Sequence, residues 1–441
     1  VAFHKNLVIP MKVEEFKRIL AEWLERPLPV AIERQAIINP NAKTITAIIG
    51  PRRVGKTFLM LDCIRRLRIA RDEVIFIDFE DNRLAGISPV ELDDLFVAWR
   101  ELTGKEALYV FLDEVQEAPH WEKFVRKLHN TGKCTLVVSG SSSKLLGREI
   151  ATALRGRYAS TLLLPFSFSE FLRLKGFAYN ARTVEYSKTR GDMLRLFGKY
   201  LETGGFPQIA ACEDPAEMKT LARAYFDTTF YRDVVERNAV GRTDVMELLM
   251  NHFLDSNAAL FSVSSFTRGL AGRGVLTSKK TVSLYFRHLQ EAFFVFGVEK
   301  FSYSQKVRTA NPVKAYLLDN GFQTLLAPSP SPNLGRRLEA AVLHELKRQG
   351  FDVFYHKESF ECDFVVARGS RPLCVIQVAY KLNETDRKRE LSGLAEAMEK
   401  LGVPGWVITY DQGGTIEFKG RKVRLIPGHR FLLQGLPELA G

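Results

Sequence analysis

Cysteine is scarce and unpaired in this chain of 441 residues: Cys63, Cys134, Cys212, Cys362 and Cys374 are scattered, odd in number and never spaced C-x-x-C. That pattern argues against a disulfide framework and against a zinc site, and it fits a reducing cytoplasm. Long apolar runs are also lacking. None reaches the ~18 residues that crossing a bilayer requires, and the N-terminus lacks a signal-peptide layout, so no membrane partner is expected. The eight histidines form no metal-ligand spacing such as H-E-x-x-H. Internal repeats and low-complexity tracts are absent. Acids are in deficit, 51 against 63 lysines and arginines, for a formal net charge of +12 and a pI near 9.4. A basic balance favours polyanions such as DNA, RNA or an acidic surface, although simple solubility explains the same number. The hydrophobic content of 46% fits a packed globular protein, and the length exceeds one ordinary core.

What the chain does carry is Gly50-Pro51-Arg52-Arg53-Val54-Gly55-Lys56-Thr57, a complete G-x-x-x-x-G-K-[ST] loop. It follows the β-branched run Thr44–Ile49 and precedes an expected helix from Phe58 to Leu67. That strand–loop–helix context predicts a site for ATP or ADP formed by the eight loop residues together with Phe58. Gly50 and Gly55 free the backbone to turn its N–H groups toward phosphate oxygens. Lys56 is expected to neutralise the β- and γ-phosphates, and Thr57 to offer its hydroxyl to Mg²⁺.

About 55 residues downstream, Val110-Phe111-Leu112-Asp113-Glu114 reads as an apolar strand ending in two acids. Asp113 is the expected Mg²⁺ partner, and Glu114 the expected group that polarises the attacking water. The next strand, Thr135–Ser139, runs into Gly140-Ser141-Ser142-Ser143. Ser139 or Ser141 there is placed to read a γ-phosphate, though small polar residues also serve turns and helix caps. In Leu154-Arg155-Gly156-Arg157-Tyr158, Arg157, ahead of Arg155, is the candidate to stabilise charge developing in phosphoryl transfer, within its own chain or a neighbour's.

Between Thr44 and about Phe171, apolar runs (Val74–Phe79, Leu108–Asp113, Thr135–Ser139) alternate with helical stretches, which predicts a parallel sheet covered on both faces and an α/β class. Residues 187–261 read as helical. In Thr277–Leu289, Val282, Tyr285, Phe286 and Leu289 share one helix face and leave Lys279, Lys280, Ser283 and Arg287 outward. Lys300, Lys306 and Arg308 follow. Ser329-Pro330-Ser331-Pro332-Asn333 is linker-like, and a second α/β pattern begins at the helix expected over Arg336–Gln349.

These blocks, with YLETGGFP at 200–207, FYRDVVERN at 230–238, and ECDFVVA and IQVAY near 361–380, resemble the AAA+/STAND-like ATPases that carry an AAA domain followed by a DUF4143-type region. The resemblance covers nearly the whole chain. It implies a P-loop ATPase core with an N-terminal helical extension over 1–175, a helical lid over 176–258, a winged-helix module over 259–328, and a degenerate PD-(D/E)XK nuclease-like domain over 329–441. Gly204-Gly205-Phe206-Pro207 resembles the G-x-P element by which such a lid contacts nucleotide, which makes Pro207 a candidate nucleotide contact; a plain interhelical turn accounts for the same residues. In the nuclease-like domain Glu339, Asp363 and Gln377 stand at the metal-site positions. Gln377 replaces an acid, Ala379 stands where the lysine belongs, and Lys381 is the nearest substitute two residues on. The neutral amide is a poorer Mg²⁺ ligand than a carboxylate, so loss of cutting with retention of the fold is expected.

Three functions follow. One is an ATP-hydrolysing switch or remodeller that engages DNA through the winged helix. Another is an ATPase that acts on a protein partner. The third is an ATP-gated, metal-dependent nuclease. A homo-oligomer is left open by the sequence.

Overall fold

A computed structural model of the chain describes residues 13–143, 158–180, 188–327 and 333–436. It divides into two compact units, Val1–Leu163 and Leu164–Gly441. The protein is α/β, with a parallel sheet in the first unit and a separate mixed sheet at the end of the second.

In the first unit the apolar runs become strands β1 (Ile45–Ile49), β2 (Val74–Asp78), β3 (Tyr109–Asp113), β4 (Thr135–Gly140) and β5 (Tyr158–Leu162). They pair in the order β2-β3-β4-β1-β5, every pair parallel. Every residue of β1 and β4 is buried, as expected of central strands with helices on both faces. The helix Val13–Glu25 turns Phe16, Ile19, Leu20 and Trp23 inward. Trp23 anchors it: its indole stacks on Phe76 at 4.9 Å and donates to the Val74 carbonyl at 2.7 Å. Because β1, β3 and β4 are adjacent and parallel, their carboxyl ends open on one edge of the sheet. Ligands collect at such an edge in open α/β sheets.

The second unit opens on the helix Phe168–Leu174, started by a capping box in which Ser167 and Glu170 satisfy each other's backbone N–H groups. Helices Arg190–Thr203, Pro207–Ala211 and Pro215–Thr228 follow, the last running on as a π-helical stretch, Thr229–Glu236. The helix Thr243–Asp255 leads into β6 (Ala259–Phe261), the helices Val263–Ala271 and Lys279–Glu291, β7 (Val295–Val298), the short helix Gln305–Ala310, and β8 (Val313–Leu317). β8 lies between β6 and β7 in an antiparallel three-stranded sheet. Along Lys279–Glu291, Val282, Tyr285, Phe286 and Leu289 are buried, whereas Lys279, Lys280, Ser283 and Arg287 are exposed.

After the helices Asn320–Leu326 and Leu334–Arg348 come β9 (Asp352–Lys357), β10 (Glu361–Arg368), β11 (Arg371–Ala379), β12 (Gly405–Thr409), β13 (Gly414–Phe418) and β14 (Arg421–Pro427). They form a six-stranded sheet in the order β13-β14-β12-β11-β10-β9, parallel at β11-β12 and β12-β14 and antiparallel elsewhere. The helix Glu384–Leu401 seats Leu391, Leu394 and Met398 on Cys362, Val365, Val375 and Val407 of that sheet. No helix among the described residues is long and apolar enough to cross a membrane.

Candidate functional site

The loop between β1 and the helix Lys56–Arg66 is held by its two glycines. Gly50 donates to the Gly140 carbonyl at 3.2 Å, and a Cβ there would fall 2.1 Å from the Leu163 carbonyl oxygen. Gly55 sits at φ 93° as the residue before the helix, a conformation side chains disfavour. Arg53 also takes a left-handed conformation, φ 66°, and is exposed. Val54 is buried, and its carbonyl accepts from Arg34 Nη1 at 2.6 Å. Arg52 reaches sideways to Glu80 and to Glu117, the latter at 2.8 Å. Phe58 stands half exposed on the first turn of the helix.

Lys56 is 4% exposed, and its ammonium donates to the carbonyls of Gly50 at 3.1 Å and Pro51 at 3.0 Å. It also pairs with Glu114 Oε1 at 2.8 Å. Thr57 Oγ1 donates to Asp113 Oδ2 at 2.5 Å, while Ser139 Oγ donates to Asp113 Oδ1. The same Ser139 oxygen accepts the Glu114 N–H at 3.0 Å. Glu114 itself is left-handed, φ 51°, so it turns off the strand end instead of continuing it. Five residues from three separate stretches of sequence (Lys56, Thr57, Asp113, Glu114 and Ser139) are thus within hydrogen-bonded reach of one another.

Burial, and then the neighbouring Glu114 charge, push the Asp113 carboxyl up to about 6, against the pull of Ser139 and Thr57. Burial works the same way on Glu114, but Lys56, with Gln116 and Arg52, outweighs it and holds this carboxyl below its ordinary value. Two adjacent acids are therefore pushed apart, one toward holding a proton and one toward staying charged.

Gln116, the last residue of the VFLDEVQ block at 110–116, also belongs to the site. It donates to Glu114 Oε2 at 2.7 Å and to Ser141 Oγ at 3.2 Å, and accepts the Ser141 N–H at 3.3 Å. Its place at the end of that block, two residues past Glu114, is the signal the sequence offers, and nothing there assigns it a role. Arg155 and Arg157 lie outside the described residues. Pro207 is the first residue of the helix Pro207–Ala211, in the second unit. The glycines before it answer a packing demand: Gly205 N–H donates to Asp319 Oδ2 at 2.7 Å, and a Cβ on Gly205 would fall 2.3 Å from the Phe166 carbonyl oxygen.

A second polar cluster lies in the C-terminal part. Glu339, Asp363 and Gln377 are all buried, but the ammonium among them belongs to Lys314 of β8. Lys381 is exposed and lies past the end of β11, so strand alternation does not carry it to the face of Ala379. Gln377 accepts the Asp363 N–H at 3.3 Å and donates to Glu390 Oε2 at 2.9 Å.

The parallel sheet and its loop define a P-loop nucleotide-binding fold, and residues 42–172 match the AAA domain family. Residues 194–332 match a domain of unknown function, DUF8612. The chain is 34% identical over 410 residues to an uncharacterized Methanocaldococcus jannaschii protein, MJ1544, covering 90% of each, and it belongs to that protein's family. An uncharacterized protein of Haemophilus influenzae is 27% identical over 377 residues, covering 84% of this chain and 92% of that one. Among solved structures, the Walker-type ATPase PABY2304 of Pyrococcus abyssi aligns with 15% identity and a TM-score of 0.40, over 71% of this chain and 95% of that one.

Proposed function

We propose that the protein is a Mg²⁺-dependent, ATP-hydrolysing switch or remodelling ATPase that engages DNA. The observation that carries the catalytic half is the gathering of Lys56, Thr57, Asp113, Glu114 and Ser139 at one edge of the sheet. The Thr57 hydroxyl and the Asp113 carboxylate lie side by side with oxygen donors suited to Mg²⁺, and these two residues would hold it. The ion would supply neutralisation of phosphate charge. Backbone N–H groups of Arg52 to Thr57 would cradle the phosphates, and Lys56 would neutralise them.

A triphosphate competes with Glu114 for the Lys56 ammonium. When Lys56 turns to phosphate, Glu114 Oε1 loses its partner and gains the capacity to accept a hydrogen bond from water, while Gln116 keeps hold of Oε2. Nucleotide entry then arms the group that polarises the nucleophile. Ser139, through Asp113 and the Glu114 backbone, ties this change to β4. Arg157 remains the candidate to stabilise charge developing in phosphoryl transfer, and Pro207 in its glycine-rich turn the candidate nucleotide contact that would report nucleotide state.

The DNA half rests on the exposed basic face of the helix Lys279–Glu291, which with Val263–Ala271 and the β6-β8-β7 sheet has the makings of a winged-helix unit. The deciding experiment measures ATP turnover with and without duplex, branched and single-stranded DNA. Stimulation by one of these supports the reading. Turnover that ignores all three supports an ATPase working on a protein partner, and absence of turnover removes the hydrolytic reading altogether.

A further inference from the structure

The cluster around Lys314 lies apart from the nucleotide site and has a chemistry of its own. Lys314 Nζ stands 2.9 Å from Glu339 Oε1, 2.8 Å from Asp363 Oδ1 and 3.0 Å from Glu361 Oε1. An ammonium has three protons, and here it has three carboxylate acceptors. Each carboxylate has a further donor: Tyr316 OH donates to Glu339 Oε1 at 2.6 Å, the Val378 N–H to Asp363 Oδ2 at 2.9 Å, and Lys357 to Glu361 Oε2 at 3.2 Å.

Nor is the ammonium on a loose tether. Lys314 is 4% exposed and belongs to the middle strand of its sheet, paired to Leu260 on one side and Val298 on the other. Moving the charge out means moving β8. Burial opposes a charge here, but Asp363, Glu339, Tyr316 and Glu361 outweigh it and hold the lysine well above its ordinary value.

In a metal-dependent nuclease of the kind the sequence resembles, carboxylates so placed hold a divalent cation. The residues present do not fit one. Mg²⁺ requires oxygens at about 2.0–2.1 Å in near-octahedral array and keeps several waters, whereas these oxygens are spaced for N–H···O bonds around a nitrogen. The lysine that such a site would place on its own strand is replaced by Ala379.

We propose that Lys314 is the resident cation of this carboxylate cage, donated by the three-stranded sheet in place of a divalent metal, so that the C-terminal module is closed to metal and does not cut nucleic acid. The cage thereby joins β8 to the helix Leu334–Arg348 and to β10, a connection that a nuclease would leave open for substrate.

The test is Mn²⁺ titration of the full chain without added nucleotide, with free Mn²⁺ followed by electron paramagnetic resonance. Wild type, Asp363→Asn, Lys314→Met, and Lys314→Met combined with Asp363→Asn are compared. Wild type is expected to show no Mn²⁺ uptake that Asp363→Asn removes. Lys314→Met should gain a saturable Mn²⁺ site and a melting temperature that rises with Mn²⁺, and the double variant should lose both. Dependence on Asp363 separates this uptake from any at the P-loop. Asp363-dependent Mn²⁺ uptake by wild type overturns the proposal, as does a folded Lys314→Met that takes up no more than wild type. A Lys314→Met chain that stays unfolded at every Mn²⁺ concentration overturns it equally, since the metal would then not replace the ammonium.

Discussion

Lys56 is held by three acceptors at once, two loop carbonyls and the Glu114 carboxylate, all out of water. A buried ion pair of this kind is weak as a source of stability but strong as a means of fixing where two groups wait. Two outcomes follow. Lys56→Ala should abolish measurable phosphate release, because the phosphates lose their principal counter-charge. Glu114→Gln should slow turnover by about 10²–10⁴-fold, the usual scale for losing a general base. It should leave ATP affinity unchanged or tighter, because the internal competitor for Lys56 has become neutral. Calorimetric titration with a non-hydrolysable analogue reads the affinity, and a phosphate-release assay reads the rate. Wild-type turnover in Glu114→Gln would remove this residue from the chemistry, and a large loss of affinity would show that the pair with Lys56 builds the loop instead of guarding it.

Among the elements, the turn at Gly204-Gly205 shows how a local feature depends on a distant one. Asp319 caps the helix Asn320–Leu326 by accepting the Gly321 N–H at 2.8 Å, and its other oxygen accepts the Gly205 N–H at 2.7 Å. Gly204 lies so close to Asp319 that a Cβ would overlap the carboxylate. Asp319→Ala strands two buried N–H groups, at about 1–3 kcal/mol for each group left unsatisfied. The expected result is a lower urea midpoint with an unchanged m-value; a midpoint equal to wild type would mean that water or a backbone shift replaces the carboxylate. Nothing in the sequence around Gly204 announces Asp319, which lies more than a hundred residues on. The parallel sheet was legible because strands buried on both faces are written as unbroken runs such as Ile45–Ile49 and Val74–Ile77, and the α/β class followed from their alternation with helices. That the loop, Asp113, Glu114 and Ser139 lie close together was legible because each stands at the end of a run that reads as a strand of one parallel sheet. Lys314 was not, because its partners Glu339, Glu361 and Asp363 come from other elements. A lysine in Val313–Leu317 looks like any polar residue of a half-exposed strand until those carboxylates are folded around it.

At the scale of the whole molecule, one group sets a pH dependence whose sign can be worked out. Burial, with the nearby Arg348 charge, pushes His344 down from 6.5 to about 3, and its Nε2 lies 2.9 Å from the Leu317 carbonyl oxygen. The unfolded chain therefore binds a proton at this residue below about pH 6.5 that the folded chain refuses until about pH 3, and this residue's contribution to stability declines steadily across that window as pH falls. Relative to wild type, His344→Gln should show a constant difference in unfolding free energy above about pH 7 and an increasingly favourable one toward pH 4; parallel curves would mean the imidazole is protonated in the fold. The charge of the molecule makes the last prediction. A net charge of +12 attracts DNA without choosing a surface, but binding through the helix Lys279–Glu291 has a localised signature. Each phosphate neutralised releases condensed counterions, so the logarithm of the binding constant falls with the logarithm of salt by about 0.9 per neutralised phosphate on duplex DNA. Lys279→Ala, Lys280→Ala and Arg287→Ala change exposed side chains only, so the fold should persist. If these residues meet phosphates, the triple variant should bind more weakly. Its salt slope should flatten by about 0.9 for each phosphate that is no longer neutralised, about three units at most. A slope that stays at the wild-type value while DNA still binds would move the binding face to another basic surface, and undetectable binding by wild type at low salt would leave the helix to a protein partner.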